Sequence, residues 1–140
     1  MTQPQPEPGS PTDWLRHARS DLTIAQLTAP PTVLLEARCF HLQQAAEKSL
    51  KAVLAQLGIP VLRTHNLRTL MDLFPSACPV PPDVALAASL TDYAVTGRYP
   101  GNYEPISEEE YYEAIQLARA VIAWAEGVVQ ASVSDGKEAG

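Results

Sequence analysis

Residues 40–71 have the sequence Phe-His-Leu-Gln-Gln-Ala-Ala-Glu-Lys-Ser-Leu-Lys-Ala-Val-Leu-Ala-Gln-Leu-Gly-Ile-Pro-Val-Leu-Arg-Thr-His-Asn-Leu-Arg-Thr-Leu-Met. Apolar residues recur every three or four positions in the first half, which predicts a helix with one buried stripe. Gly58 and Pro60 end this helix, and the Thr-His-Asn turn at 64–66 begins another. Polar side chains also cluster along one side of the first helix, and that regularity needs a structural or functional reason.

The same kinds of start and stop signal predict the remaining helices. One covers about residues 13–27, the helix quoted above covers about 32–57, and another lies between residues 82 and 96. The last helix starts at Ser107, which forms a capping box with Glu110. No run of alternating polar and apolar residues indicates a strand. The sequence therefore predicts an all-α fold, an up-and-down antiparallel bundle of four main helices plus one short helix.

Composition and charge narrow the class of protein. The 140 residues are 46% hydrophobic and carry a net charge of −6. We expect one domain over residues 12–131, with disordered tails at 1–11 and 132–140 that bury little surface. Two isolated cysteines and the lack of a long apolar run indicate a cytoplasmic protein with no membrane partner. The acidic balance argues against broad attachment to nucleic acid, although it is compatible with a local basic patch.

Polar residues on the second helix form the first candidate site. His41, Gln44, Lys48 and Lys51 are spaced by three, four and three, so they lie along one side of the helix. Lysines projecting in line could hold phosphate oxygens, and the imidazole could donate a further hydrogen bond. The alternative is a solvated face on which Glu47 pairs with Lys51 four residues later.

Two later segments add further candidates. His65 lies in a turn between helices, where the alternative role is a cap or a packing contact. The loop at 96–103 contains Arg98 and Tyr99, which could grip a phosphate while stacking on a base. A tight corner, in which the tyrosine packs and the arginine caps the preceding helix, is the other interpretation of this loop.

A ribonuclease is the enzymatic alternative. His41 and His65 each follow an arginine, Arg38 and Arg63, and an acid or base beside a cation is adequate chemistry for cleaving RNA. The histidines lie far apart in sequence and the cysteines lack paired spacing, so no metal site is predicted. No phosphate-binding loop or dinucleotide fingerprint occurs, and no cofactor is predicted.

The order of several short elements resembles the HEPN family (higher eukaryotes and prokaryotes nucleotide-binding domain). These elements are Phe40–Lys48, Leu50–Ala52, Thr64–Leu67 and Gly97–Pro100, and the resemblance covers roughly Asp13 to Glu126. It implies a bundle of four main helices plus a short one, usually dimeric. It also implies a minimal nucleotidyltransferase encoded beside the domain or fused to it, in arrangements that include toxin–antitoxin pairs.

The resemblance has one departure. Metal-independent ribonucleases of the family carry an arginine, then four to six residues, then a histidine. Here two residues separate Arg38 from His41 and one separates Arg63 from His65, so the resemblance implies the branch without that motif. The signature residues that it carries over are Gln44, Glu47, Lys48, Lys51, His65, Arg98 and Tyr99.

The sequence thus predicts a non-catalytic association module that forms a homodimer and partners a minimal nucleotidyltransferase. A second apolar row on the last helix predicts the dimer surface, and it consists of Ala114, Leu117, Val121, Trp124 and Val128. Binding of nucleotide or RNA is a second predicted role, with candidate residues His41, Gln44, Lys48, Lys51, His65, Arg98 and Tyr99. The alternatives are an atypically spaced ribonuclease using His41 or His65, and a helical scaffold without a ligand.

Overall fold

The computed structural model describes residues 5–94 and 104–139, with side chains described as far as residue 131. The helices are α1 (Pro11–Gln26), α2 (Leu35–Gln56), α3 (Leu67–Met71), α4 (Pro82–Ala85) and α5 (Glu108–Ala139). A 3-10 segment, Leu86–Ala94, continues directly from α4. Since the described residues contain no strand, the predicted all-α fold is confirmed.

Local chemistry at the helix ends matches the sequence signals. The side chain of Ser10 accepts the backbone N–H of Asp13 at 3.2 Å, which caps α1. At the start of α5, the Ser107 hydroxyl accepts the backbone N–H of Glu110 at 3.1 Å, and the glutamate accepts the serine N–H in return. Gly58 follows α2 with φ +72°, a left-handed conformation that ends the helix at low cost.

The fourth predicted helix is where structure and expectation differ most. Only Pro82–Ala85 is α-helical, and the chain then tightens into the 3-10 segment as far as Ala94. Within that segment the Ser89 hydroxyl donates to the carbonyl of Leu86 at 3.1 Å, three residues back, and competes with regular α-helical bonding. The backbone of α5 is helical to Ala139, beyond the predicted domain limit at 131. The division into a domain and two tails stays a prediction.

Helix α2 lies at the centre of the bundle. Twelve of its 22 residues are buried, and it packs against α1, α5, α3 and the 3-10 segment. Leu42, Leu50 and Leu54 are fully buried and supply much of the core volume. Helices α1 and α5 also contact one another beside it. In the described parts of the chain, no helix is both long and apolar enough to cross a membrane.

The second apolar row of α5 is not the exposed strip that the sequence predicts. Ala114 and Val121 are buried, while Leu117, Trp124 and Val128 are partly buried and pack against the core. The row is covered because α4 and the 3-10 segment pack on α5, and because the ring of Phe74 lies 5.6 Å from that of Trp124. This row therefore does not supply a free dimer surface.

Candidate functional site

A buried carboxylate on α1 connects two of the candidate residues on α2. The side chain of Asp21 is only 9% exposed. Its Oδ1 lies 2.8 Å from Nδ1 of His41, and its Oδ2 accepts from Nζ of Lys48 at 2.6 Å. The histidine and the lysine lie seven residues apart, or two helical turns, so both face α1. We call these three residues the Asp21 cluster.

A second carboxylate, on α2 itself, connects two more candidates. Glu47 is 4% exposed, and its Oε2 accepts from Nζ of Lys51 at 2.9 Å. Its Oε1 lies 2.8 Å from Nδ1 of His65, whose side chain is 72% exposed. Because an ionised carboxylate can only accept, this geometry places the proton of the imidazole on Nδ1. We call these three residues the Glu47 cluster.

Two glutamines complete the Glu47 cluster. The amide of Gln43, which is fully buried, donates to the carbonyl oxygen of His65 at 2.9 Å and to Glu47 at 3.2 Å. Its own oxygen accepts from the amide of Gln44 at 2.7 Å. The exposed turn is therefore fixed to α2 through both the ring and the backbone of its histidine. The turn also starts α3, because the side chain of Asn66 accepts the backbone N–H of Thr69 at 3.1 Å.

The pKa of Glu47 lies below its usual value. Burial is the largest influence and raises the pKa, but the hydrogen bonds from Lys51, His65 and Gln43 together lower it by more. The carboxylate is thus ionised at neutral pH and compensates the buried ammonium group of Lys51. The indole ring of Trp14 also faces this ammonium, with Nζ 5.5 Å from the ring centroid.

The structure therefore brings together five of the seven candidate residues, in two clusters that each centre on a carboxylate. His41 and Lys48 contact Asp21, while Gln44, Lys51 and His65 surround Glu47. Arg98 and Tyr99 lie outside the described residues. The expected Glu47–Lys51 pair is present, although it is buried and not on a solvated face. Ligand binding by these residues stays a prediction.

Sequence reasoning missed two partners in this arrangement. Asp21 and Gln43 contribute hydrogen bonds to the clusters, yet neither was among the candidates. A signal for Asp21 exists, since it lies three residues after Ala18 and four before Ala25 on the inward stripe of α1. An acid on such a stripe needs a cation from a neighbouring helix. Gln43 gives no comparable signal, because its partners come from a turn 22 residues away.

Each cluster contains an imidazole held by a carboxylate. In both cases Nδ1 faces the carboxylate, and Nε2 has no hydrogen-bond partner among the described residues. An imidazole held in this way can act as a general base or donate to an anion. No group of three or more histidine, cysteine, aspartate or glutamate side chains in the described ranges could hold a metal ion.

Comparisons with known proteins identify the class to which this bundle belongs. The family model for the HEPN domain matches residues 12–128, and the chain belongs to the HEPN family. Its structure is similar to that of TT1696 from Thermus thermophilus, with 32% identity and a TM-score of 0.71 over 84% of this chain and 97% of that one. It is also similar to ST0689, an archaeal HEPN homologue, with 30% identity and a TM-score of 0.67 over 86% and 98% of the two chains. A search of curated proteins gave no significant match.

Proposed function

We propose that this chain is a non-catalytic association module that forms a homodimer and pairs with a minimal nucleotidyltransferase, in a toxin–antitoxin-like arrangement. Membership of the HEPN family supports this proposal, because domains of that family are often dimeric and often encoded beside such an enzyme. We take residues 12–131 as the associating unit.

The observation that carries the proposal is an apolar patch at one end of the bundle. Five large apolar side chains there are between 40 and 62% exposed, and they are Ile24, Leu27, Val33, Leu34 and Tyr112. We call these five residues the end patch. A concentration of exposed apolar surface is typical of protein–protein contact sites. The second row of α5 offers no such surface, since it is covered.

Hydrogen bonds hold the elements of the end patch in place. The carbonyl of Ala25, in the last turn of α1, accepts from Nη1 of Arg38 at 2.9 Å and from the hydroxyl of Tyr111 at 2.6 Å. The starts of α2 and α5 therefore lie beside the end of α1. The arginine also lies over the tyrosine ring, 5.9 Å from its centroid. Because the patch is rigid, an approaching partner would pay little ordering entropy.

Analytical ultracentrifugation of charge variants tests the homodimer. We expect wild-type protein to sediment as a dimer, and Leu27→Lys with Leu34→Lys to sediment as a folded monomer. Leu62→Lys is a matched control, because Leu62 is 44% exposed and follows the opposite end of α2, about 33 Å away along the helix. A wild-type monomer at all concentrations would refute the homodimer.

Co-expression tests the pairing. The partner to use is the minimal nucleotidyltransferase encoded nearest to this chain's own gene, and the readout is co-elution in size-exclusion chromatography. We expect a stable complex with the wild-type chain. Separate elution of the two proteins would remove this half of the proposal and leave the homodimer.

Nucleotide or RNA binding is the second role that we propose for the candidate residues on α2 and in the 96–103 loop. Support comes from Lys48 and His41, which reach the surface beside Asp21. Replacing Lys48 or Arg98 with Ala should weaken binding of ATP, GTP or short RNA by about 1–3 kcal/mol each. Titration calorimetry on folded variants measures this loss, and no binding by the wild type would leave association, or a scaffold role without a ligand.

A ribonuclease remains the alternative function, and one observation favours it. The Asp21–His41 and Glu47–His65 pairs each present an oriented imidazole, as acid–base cleavage of RNA would require. Incubation of RNA with the protein and a metal chelator separates the alternatives. The association proposal expects no cleavage, whereas cleavage that disappears in both His41→Ala and His65→Ala would establish the ribonuclease.

A further inference from the structure

Most of the described cations have their charge compensated within the molecule. The pairs are Arg16 with Asp13, Arg19 with Glu126, Lys48 with Asp21, and Lys51 with Glu47. Arg38 donates to a backbone carbonyl and lies over a tyrosine ring. An incoming phosphate would therefore have to compete with a carboxylate at either lysine of α2. That competition weakens anion binding at the place where the sequence predicts it.

Three exposed arginines differ from the others. The side chains of Arg63, Arg68 and Arg119 make no ion pair or hydrogen bond with any described residue. Arg119 is the isolated one, because it lies on α5 with no other cation within four residues along the helix. Arg63 and Arg68 instead lie on either side of His65. Uncompensated positive charge is thus concentrated in residues 62–69, which we call the α2–α3 corner.

Few acids oppose this charge. Glu47 faces the corner from α2, but it is already bonded to Lys51 and to His65. Asp72 lies four residues after Arg68 and Asp92 lies on the neighbouring 3-10 segment, and neither approaches a corner arginine within the 4.0 Å of an ion pair. Both guanidinium groups of the corner keep all five donors available.

Hydrogen bonds keep the corner backbone in one conformation. Gln43 and Glu47 hold His65 at its carbonyl and its ring. The hydroxyl of Thr64 accepts the backbone N–H of Asn66 at 3.1 Å, and the hydroxyl of Thr91 accepts that of Leu67 at 3.0 Å. A corner already ordered in this way loses little entropy when it binds a ligand.

We infer that the α2–α3 corner binds the phosphodiester groups of single-stranded nucleic acid through Arg63, Arg68 and His65. A guanidinium fork matches two phosphate oxygens, and the exposed imidazole of His65 adds a donor when it is protonated. Three contact groups within eight residues suit a short flexible strand, whereas the net charge of −6 opposes the long contact that a duplex needs. The inference rests on the RNA-binding part of the proposed function and moves its site away from Lys48 and Lys51.

Fluorescence anisotropy at low salt tests this inference with labelled single-stranded RNA and DNA of the same sequence. We expect the Arg63→Ala/Arg68→Ala variant to lose at least about tenfold in affinity for both strands. The slope of log affinity against log salt should also fall in magnitude by about 1.4, or 0.7 for each phosphate released. Arg119→Ala removes the same kind of exposed, unpaired charge elsewhere, and we expect it to bind as the wild type does.

Several results would overturn the inference. These are no binding by the wild type, equal losses in the Arg119→Ala control and the double variant, and a larger loss in Lys48→Ala than in the double variant. Displacement of the strand by poly-glutamate at an equal concentration of charged groups would show that the corner takes acidic polypeptide. Equal binding of RNA and DNA would indicate phosphate contacts alone, and stronger binding of RNA would indicate an added contact to its 2′-hydroxyl; both results support the inference.

Sedimentation of the same double variant keeps this test separate from the association proposal. The corner lies at the opposite end of α2 from the end patch, so the variant should keep the oligomeric state of the wild type. Loss of nucleic-acid binding with unchanged assembly supports the inference whether or not the homodimer exists. Loss of both together would show that the corner is part of the assembly surface, which overturns it.

Discussion

At the scale of single residues, Glu47 shows how this bundle accommodates charge in its interior. A buried carboxylate is expensive unless donors replace the water that it has lost. Here Lys51, His65 and Gln43 supply those donors from three positions, two on the same helix and one in the turn after it. The regular polar spacing that stands out in the sequence thus has a structural reason, whatever ligand the surface also binds.

The lowered pKa of Glu47 predicts a specific loss of stability in acid. Because its folded pKa lies below the ordinary value of 4.5, its contribution to the free energy of unfolding is fully present above that value. The contribution is lost as the pH falls through the folded pKa. Urea denaturation of wild type and Glu47→Gln as a function of pH measures this effect, and the variant should lack that part of the acid dependence.

At neutral pH the same variant leaves Lys51 buried without a counter-charge, which should cost about 3–5 kcal/mol. Glu109→Gln changes an exposed glutamate in the first turn of α5 and is the control. Equal acid dependence of Glu47→Gln and the wild type would contradict the stabilising role that we give to this cluster.

Leu50 tests the packing of the core. It is fully buried on α2, so Leu50→Ala removes apolar contacts and leaves a cavity, at a cost of about 2–5 kcal/mol in unfolding free energy. Leu86→Ala makes the same chemical change at a side chain that is 66% exposed, and should alter stability by less than about 0.5 kcal/mol. Similar losses in the two variants would mean that Leu50 is not a core residue.

At the scale of helices, the ends are set by local chemistry that a sequence displays directly. The capping box of α5 is the clearest case, since Ser107 and Glu110 bond to one another's backbone. We expect Ser107→Ala to lower the unfolding free energy by about 0.5–2 kcal/mol, measured by thermal denaturation. Ser107→Asp keeps an acceptor at the cap and should retain most of the stability, and a loss equal to that of alanine would refute the capping role.

The same distinction explains how much of the fold could be predicted. Caps and apolar spacing predicted α1, α2, α3 and the start of α5, because those signals act within a few residues. The 3-10 segment and the covered row of α5 depend on packing between elements that are far apart in sequence. Asp21 escaped notice for the same reason, since its two partners lie 20 and 27 residues away. Sequence patterns thus located the candidate residues but not the carboxylates that hold them.

At the scale of the whole molecule, the two proposed surfaces differ in chemistry. The end patch is apolar, and the α2–α3 corner is a cluster of unpaired charge in an acidic protein. Raising the salt concentration from about 50 to 500 mM should therefore leave the dimer intact, because apolar burial is not screened by salt. Binding of single strands should fall steeply over the same range.

Sedimentation and anisotropy in matched buffers measure the two responses. A dimer that dissociates in high salt would show that its interface is electrostatic and does not use the end patch. Strand binding that resists high salt would show that phosphate contacts are not its main source.

The position of Trp14 gives this protein a built-in optical probe. Its indole ring faces the ammonium group of Lys51, whereas the other tryptophan, Trp124, packs against the ring of Phe74. A charge beside an indole shifts its emission, so the fluorescence of Trp14 will follow the ionisation of the Glu47 cluster without any added label. In a Trp124→Phe background, one tryptophan remains, and its spectrum records in real time whether a ligand at His65 is felt inside the bundle.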